Sequence, residues 1–243
     1  MTISYPLQTP TTIGIEEIVL RAANVVAVSE SPFTFRQQVF RHPGERWSAA
    51  IRIPPLRRDL LEPWVAFLLS LKGPTGTFLL GDPNNCIPQG VLGTAAVSAW
   101  FLMGGTWQDL GQWVDSIDWD DPGTSALFLV PQVDGVQPSQ TADIAVKGFQ
   151  ASVENWLLPG DYIQLGAAGT ATLHKVLLPV SSGPTGRATI TVWPAVRREL
   201  LDGETLVYLH PRGRFRLSSP AQEWTINNRN AYVLSFEAVE AIP

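Results

Sequence analysis

The chain is poor in sulfur and in charge. It holds one cysteine, Cys86, so no disulfide can form within it and a four-cysteine zinc site is excluded. Charged residues make up 16 % of the sequence, well under the usual quarter of a soluble domain. So sparse a charge suits a chain that covers much of its surface with other subunits, a trait some secreted β proteins share. The net charge is −5. A basic face for phosphates is therefore not expected, and nucleic acid is not an expected partner. No run of about 18 apolar residues occurs, so no membrane span is expected. The start, MTISYPLQTPTTIG, lacks a basic segment followed by an apolar run. No signal peptide is expected there, and folding in a cytoplasm is.

Apolar residues and turn formers are plentiful. Hydrophobic residues are 45 % of 243, enough for an ordered core. Glycine and proline number 20 each and punctuate many short β-type runs. The pattern predicts a mainly β chain. In ERWSAAIRIPP, Trp47, Ala49, Ile51 and Ile53 alternate with Arg46, Ser48, Ala50 and Arg52, the period of a half-buried strand. Phe33, Phe35, Gln37 and Val39 share a face if their segment is extended, and HPG at 42–44 is expected to turn a hairpin.

One short helix is expected in RRDLLEPWVAFLLSLKG. Leu60, Leu61, Trp64, Val65, Leu68 and Leu69 recur at three- and four-residue steps. Pro63 fits only a first turn, which sets the start near Leu60 or Leu61. Lys72 and Gly73-Pro74 form the stop. The helix is expected to plug the open side of a β-sandwich.

The texture changes after GTFLLGDP. Residues 90–157 are rich in tryptophan, and strands are expected at 125–130 and 142–150. From LPGDYIQLG onward, the runs DYIQLG, TATLHKVLL, GRATITVW and ETLVYLH suggest a small barrel or meander. Pro159-Gly160 makes its opening turn, with Asp161 bonding backbone there. The closing strands, around Phe215, Leu217, Trp224, Ile226, Tyr232, Leu234 and Phe236, resemble the first third. The expected organisation is discontinuous: 1–82 with 212–243 form one β domain, and 83–211 are inserted into it.

No constellation points clearly to catalysis. His42, His174 and His210 lack the spacing of a metal site. The acidic loop holding Asp115, Asp118, Asp120 and Asp121 lacks the central glycine and alternation of an EF-hand. Its carboxylates could in principle serve a glycosidase, but a solvated loop is the simpler reading. Trp100, Trp107, Trp113 and Trp119 could stack on sugar rings or pack in an interface or core. No Gly-x-Ser-x-Gly elbow or phosphate loop occurs. Cys86 has no evident base beside it. No enzyme activity, metal or other cofactor is expected. The paired arginines, Arg57 with Arg58 and Arg197 with Arg198, are candidate subunit contacts, since arginine pairs bidentately with carboxylates.

Several segments, in order, resemble the distal tail protein family, the tail-tip hub of long-tailed, siphovirus-like bacteriophages and prophages. They are RHPGERWSAAIRIPPL, LKGPTGTFLLGDP, LLPGDYIQLG, TGRATITVWPAVR, HPRGRFRLSS and YVLSFEAVEA. The resemblance is best over 15–82 and 155–240, and about 100–150 departs from it. It implies a discontinuous β-sandwich belt domain with an OB-like inserted barrel. It also implies a homo-oligomeric ring, a hexamer in that family, joining the tail tube protein to other tail-tip proteins of the virion. The family supplies no catalytic residues. The alternative is a carbohydrate- or host-receptor-binding module, with Trp107, Trp113 and Trp119 meeting a host surface glycan.

Overall fold

In the computed structural model, residues 3–10, 14–94, 130–226 and 232–242 are described. The chain is mainly β, with curled sheets, one of them nearly closed into a barrel. It divides into two compact units. The first comprises Met1–Leu80, Ala167–Ala171 and Gly213–Pro243, and the second comprises Gly81–Gly166 and Thr172–Arg212.

The first unit is a seven-stranded sheet. Its strands are β1 (Leu7–Gln8), β2 (Glu17–Glu30), β3 (Gln37–Leu56), β4 (Phe78–Leu80), and then β11 (Gly213–Leu217), β12 (Trp224–Ile226) and β13 (Tyr232–Glu240). They lie in the order β1-β4-β11-β13-β3-β2, with β12 also pairing β13. Only the β1–β4 pair is parallel among these. The expected alternation in β3 holds: Trp47, Ala49, Ile51 and Ile53 are buried, as are Leu234, Phe236 and Ala238 on β13. Period-two burial is what a sheet with one covered face requires.

The cover is the helix α1 (Arg58–Ser70). Leu61, Trp64, Val65, Phe67 and Leu68 are its buried residues. Trp64 packs edge-on to Phe67 with ring centroids 5.9 Å apart and meets Phe236 of the sheet at 6.3 Å. Phe67 meets Phe78 of β4 at 5.5 Å. Leu60 and Leu69, expected on the packed face, are exposed. The helix also begins earlier than expected, and Pro63 is its sixth residue. Proline there removes one N–H, whose acceptor would be the Asp59 carbonyl, and Asp59 is exposed. The stop is as expected: Lys72 and Gly73 take left-handed φ of 52° and 67°.

Two expectations fail in the β2–β3 hairpin. HPG at 42–44 is not the turn but lies within β3. The register passes from Asn24↔Glu45 to Val26↔Arg41, so His42, Pro43 and Gly44 stand opposite Val25 alone. A bulge tolerates the missing proline N–H. Gly44 is required by close approach, for a Cβ there would lie 2.6 Å from Val25 Cγ2. The chain reverses instead at 31–36, where Phe35 N–H donates to Ser31 O at 2.9 Å and Ser31 N–H to Arg36 O at 3.0 Å. Phe33 and Phe35 therefore sit at a hairpin tip, not on a strand face.

The second unit is the barrel. Its strands are β5 (Gln132–Val133), β6 (Asp143–Lys147), β7 (Tyr162–Leu165), β8 (Thr172–Val176), β9 (Ala188–Trp193) and β10 (Leu206–Val207). The order β10-β7-β8-β9-β6-β5 is antiparallel throughout. An antiparallel bridge between Gln132 and Thr205 joins the two ends. Val133 N–H donates to Glu204 O at 2.9 Å and Leu206 N–H to Pro131 O at 2.9 Å, completing the seam. Ile144, Val146, Ile163, Leu165, Ile190 and Val192 fill the interior with Trp156, whose Nε1–H donates to Ser182 Oγ at 2.9 Å.

LPGDYIQLG does not open this barrel, because β5 and β6 precede it in the chain; it forms the turn that leads into β7. Asp161 is fully buried. Its Oδ2 accepts from Leu158 N–H at 2.8 Å and its Oδ1 from Gln89 N–H at 2.9 Å. Gly160 has φ of 101°, a conformation open to glycine. The buried carboxylate thus ties the turn to a segment more than seventy residues earlier in sequence.

Candidate functional site: an exposed hairpin arm

The distal half of the β2–β3 hairpin is the most unusual surface in the first unit. Every described residue of 21–30 and 37–44 is exposed. Paired strand residues share a face, so Val26, Val28 and Val39 lie on one face and Ala27 and Phe40 on the other. Val28 is 59 % exposed and Phe40 60 % exposed. At the tip, Phe33 is 92 % exposed and Phe35 75 %. A two-stranded ribbon with both faces wet is marginal in water, since neither face buries apolar area. Contiguous exposed apolar residues of this kind mark an interaction surface, a ligand groove or an aggregation liability.

The base of the same sheet carries a groove of about 490 Å³. Its floor is the face opposite α1. Across that floor run two rows, Glu17–Arg52–Ser235 and Val19–Ala50–Glu237, each spanning β2, β3 and β13. One wall is the segment Ser218–Glu223 that follows β11. Arg52 pairs with Glu16 at 3.3 Å, and Arg21 with Glu237 at 3.6 Å. Both pairs are exposed, and such pairs contribute little.

The candidate contact arginines fall in different settings. Arg57 caps α1 with extended backbone and is exposed. Arg58, in the first turn, pairs with Glu62 one turn on at 3.3 Å. In the barrel, Arg198 makes a two-pronged ion pair with Glu204 of its own chain, one prong at 2.9 Å. Arg197 neighbours it in the loop after β9. Trp107, Trp113 and Trp119 lie outside the described residues, with Trp100, the acidic loop of Asp115, Asp118, Asp120 and Asp121, and most of the expected strand at 125–130.

The histidines are dispersed. His42 is in the exposed bulge of β3, and His210 donates its backbone N–H to Cys86 O at 2.7 Å. His174 is buried in β8. Its Nδ1 is 2.7 Å from Pro194 O, which only accepts, so Nδ1 carries the proton. Nε2 then accepts from Thr172 Oγ1, 2.8 Å away. Burial pushes this imidazole down from 6.5 to about 4, with Arg197 and Arg198 adding repulsion against the hydrogen bond to Pro194. It is a neutral, satisfied structural histidine. Among the described residues no group of three or more His, Cys, Asp or Glu side chains could hold a metal ion. Nor is any described helix long and apolar enough to cross a membrane.

The arm escaped detection in the sequence because VVAV at 25–28 reads as a buried strand. The signal that could have found it is Pro43-Gly44 within a run of β-formers, since proline in a strand is confined to an edge or a bulge. No family model matches the chain, and no curated protein matches it.

Proposed function

We propose that this protein is a structural subunit of a phage tail tip, a distal tail hub that closes into a ring through its first unit. The observation that carries the reading is the arm: valines exposed on one face and Phe40 on the other, with Phe33 and Phe35 at the tip, on a ribbon that has no covering element among the described residues. A heterologous contact, in which one patch of a subunit meets a different patch of the next, closes a ring when its rotation allows. An arm projecting from one end of a sheet makes contacts of that kind. The low charge fraction supports the same reading, as does the arrangement of a sheet unit whose chain is interrupted by a barrel. The resemblance to tail-tip hubs suggests six subunits, a tail tube protein on one side and further tip proteins on the other. The protein is then a joint of the virion and carries out no reaction.

The test is to shorten the arm. Replacing 25–44 with Asn-Gly joins Asn24 to Glu45 by a two-residue hairpin turn, which their direct pairing permits. The expected product is folded and monomeric, while the full chain forms closed rings. An arm-shortened protein that still forms rings would refute the reading.

A further inference from the structure

We infer that the groove at the base of the sheet receives the hairpin tip of the neighbouring copy. The inference rests on the ring reading and names the two surfaces that would meet. The first point is reach. Glu17, at the groove, and Glu30, at the tip, are thirteen residues apart on one continuous strand. At about 3.3 Å per residue the tip stands about 40 Å from its own groove. A paired ribbon cannot fold back over that distance, so tip and groove of one copy cannot meet. Two patches at opposite ends of one sheet are the geometry of a head-to-tail contact.

The second point is complementarity. The tip, 30–36, presents two phenylalanines, the guanidinium of Arg36, and the carboxylate of Glu30, which accepts from Gln37 Nε2 at 2.5 Å. The groove is lined by three carboxylates, Glu17, Glu223 and Glu237, against the one guanidinium of Arg52. Among the described residues, Glu17 and Glu223 have no ion-pair partner. Val19 and Ala50 supply an apolar strip in the row that ends at Glu237. A volume of about 490 Å³ lies in the range of pockets that hold several side-chain groups. Phe33 and Phe35 would enter over Val19 and Ala50, and Arg36 would meet the acids at the rim. Aromatic anchors flanked by an arginine are the residues that dominate interface energies.

The test uses two full-length variants that each lose one surface. Phe33→Ser with Phe35→Ser removes the tip and keeps the groove. Glu17→Arg with Glu223→Arg reverses the groove and keeps the tip. All four positions are exposed, and far-ultraviolet circular dichroism checks that each variant folds. Light scattering should show each variant alone as a monomer, with association weakened on the order of 100-fold or more. Mixed together, they should form a dimer and nothing larger, because only one good tip can meet one good groove. As an independent check, Phe35→Cys with Ala221→Cys in a Cys86→Ser background should give disulfide-linked ladders between copies under oxidation. Groove variants that ring as well as wild type, with no ladder, would overturn this inference and leave the ring reading standing. A wild-type chain that stays monomeric at its highest soluble concentration would overturn both.

Discussion

Lowering the pH should destabilise the barrel through one residue. His174 is buried with its single proton on Nδ1, facing Pro194 O. Its affinity for a second proton is reduced in the fold, from 6.5 to about 4, chiefly because burial disfavours the cation. The unfolded chain therefore binds that proton first as pH falls. Stability from this group is flat above about pH 7, declines between 6.5 and about 4, and declines no further below that. At about 1.4 kcal/mol per tenfold change, the gap from 6.5 to about 4 amounts to about 3 kcal/mol in full. Roughly 2 kcal/mol of it is lost by about pH 5. Carboxylates titrate in the same range, so the measurement must be differential. Urea unfolding of wild type and His174→Gln at about pH 7.5 and about pH 5 isolates the term. The variant should lose about 2 kcal/mol less than wild type over that interval. Proton NMR of the three histidines gives the direct check, with one ring still neutral at about pH 5. Equal pH dependence in the two proteins, with the His174 ring titrating near 6.5, would refute the burial argument.

Further outcomes follow from the same geometry. Asp161→Ala leaves the Leu158 and Gln89 N–H groups without their carboxylate and should cost about 3 kcal/mol in urea unfolding. Trp64→Ala empties the contact between α1 and the sheet and should cost about 3–5 kcal/mol. Trp64→Phe should cost clearly less, because the indole Nε1–H is buried without an acceptor among the described residues. Phe33→Ser and Phe35→Ser, both at exposed positions, should leave the thermal midpoint of a non-assembling chain within about 1 °C.

Some elements were legible because their burial is one-sided. Trp47 to Ile53 alternate since α1 covers one sheet face and water the other. LPGDYIQLG was legible because a turn with a buried Asp needs Gly beside it. Other features depend on distant partners that local pattern does not encode. The bulge at His42–Gly44 is fixed by Val25 across the hairpin. Pro63 inside α1 is tolerated because the carbonyl it leaves belongs to an exposed residue. β5 and β10 are two residues each, too short for any periodicity, yet they close the barrel. The arm is the hardest case. Its valines look like core until the structure leaves both of their faces uncovered.

The most direct measurement is the mass of the purified chain by light scattering over a concentration range, beside negative-stain images and the arm-shortened protein under identical conditions. The tail-hub account predicts closed rings of one fixed subunit number for the full chain and monomers without the arm. A full chain that remains monomeric throughout, or rings that persist when 25–44 are replaced, would contradict it.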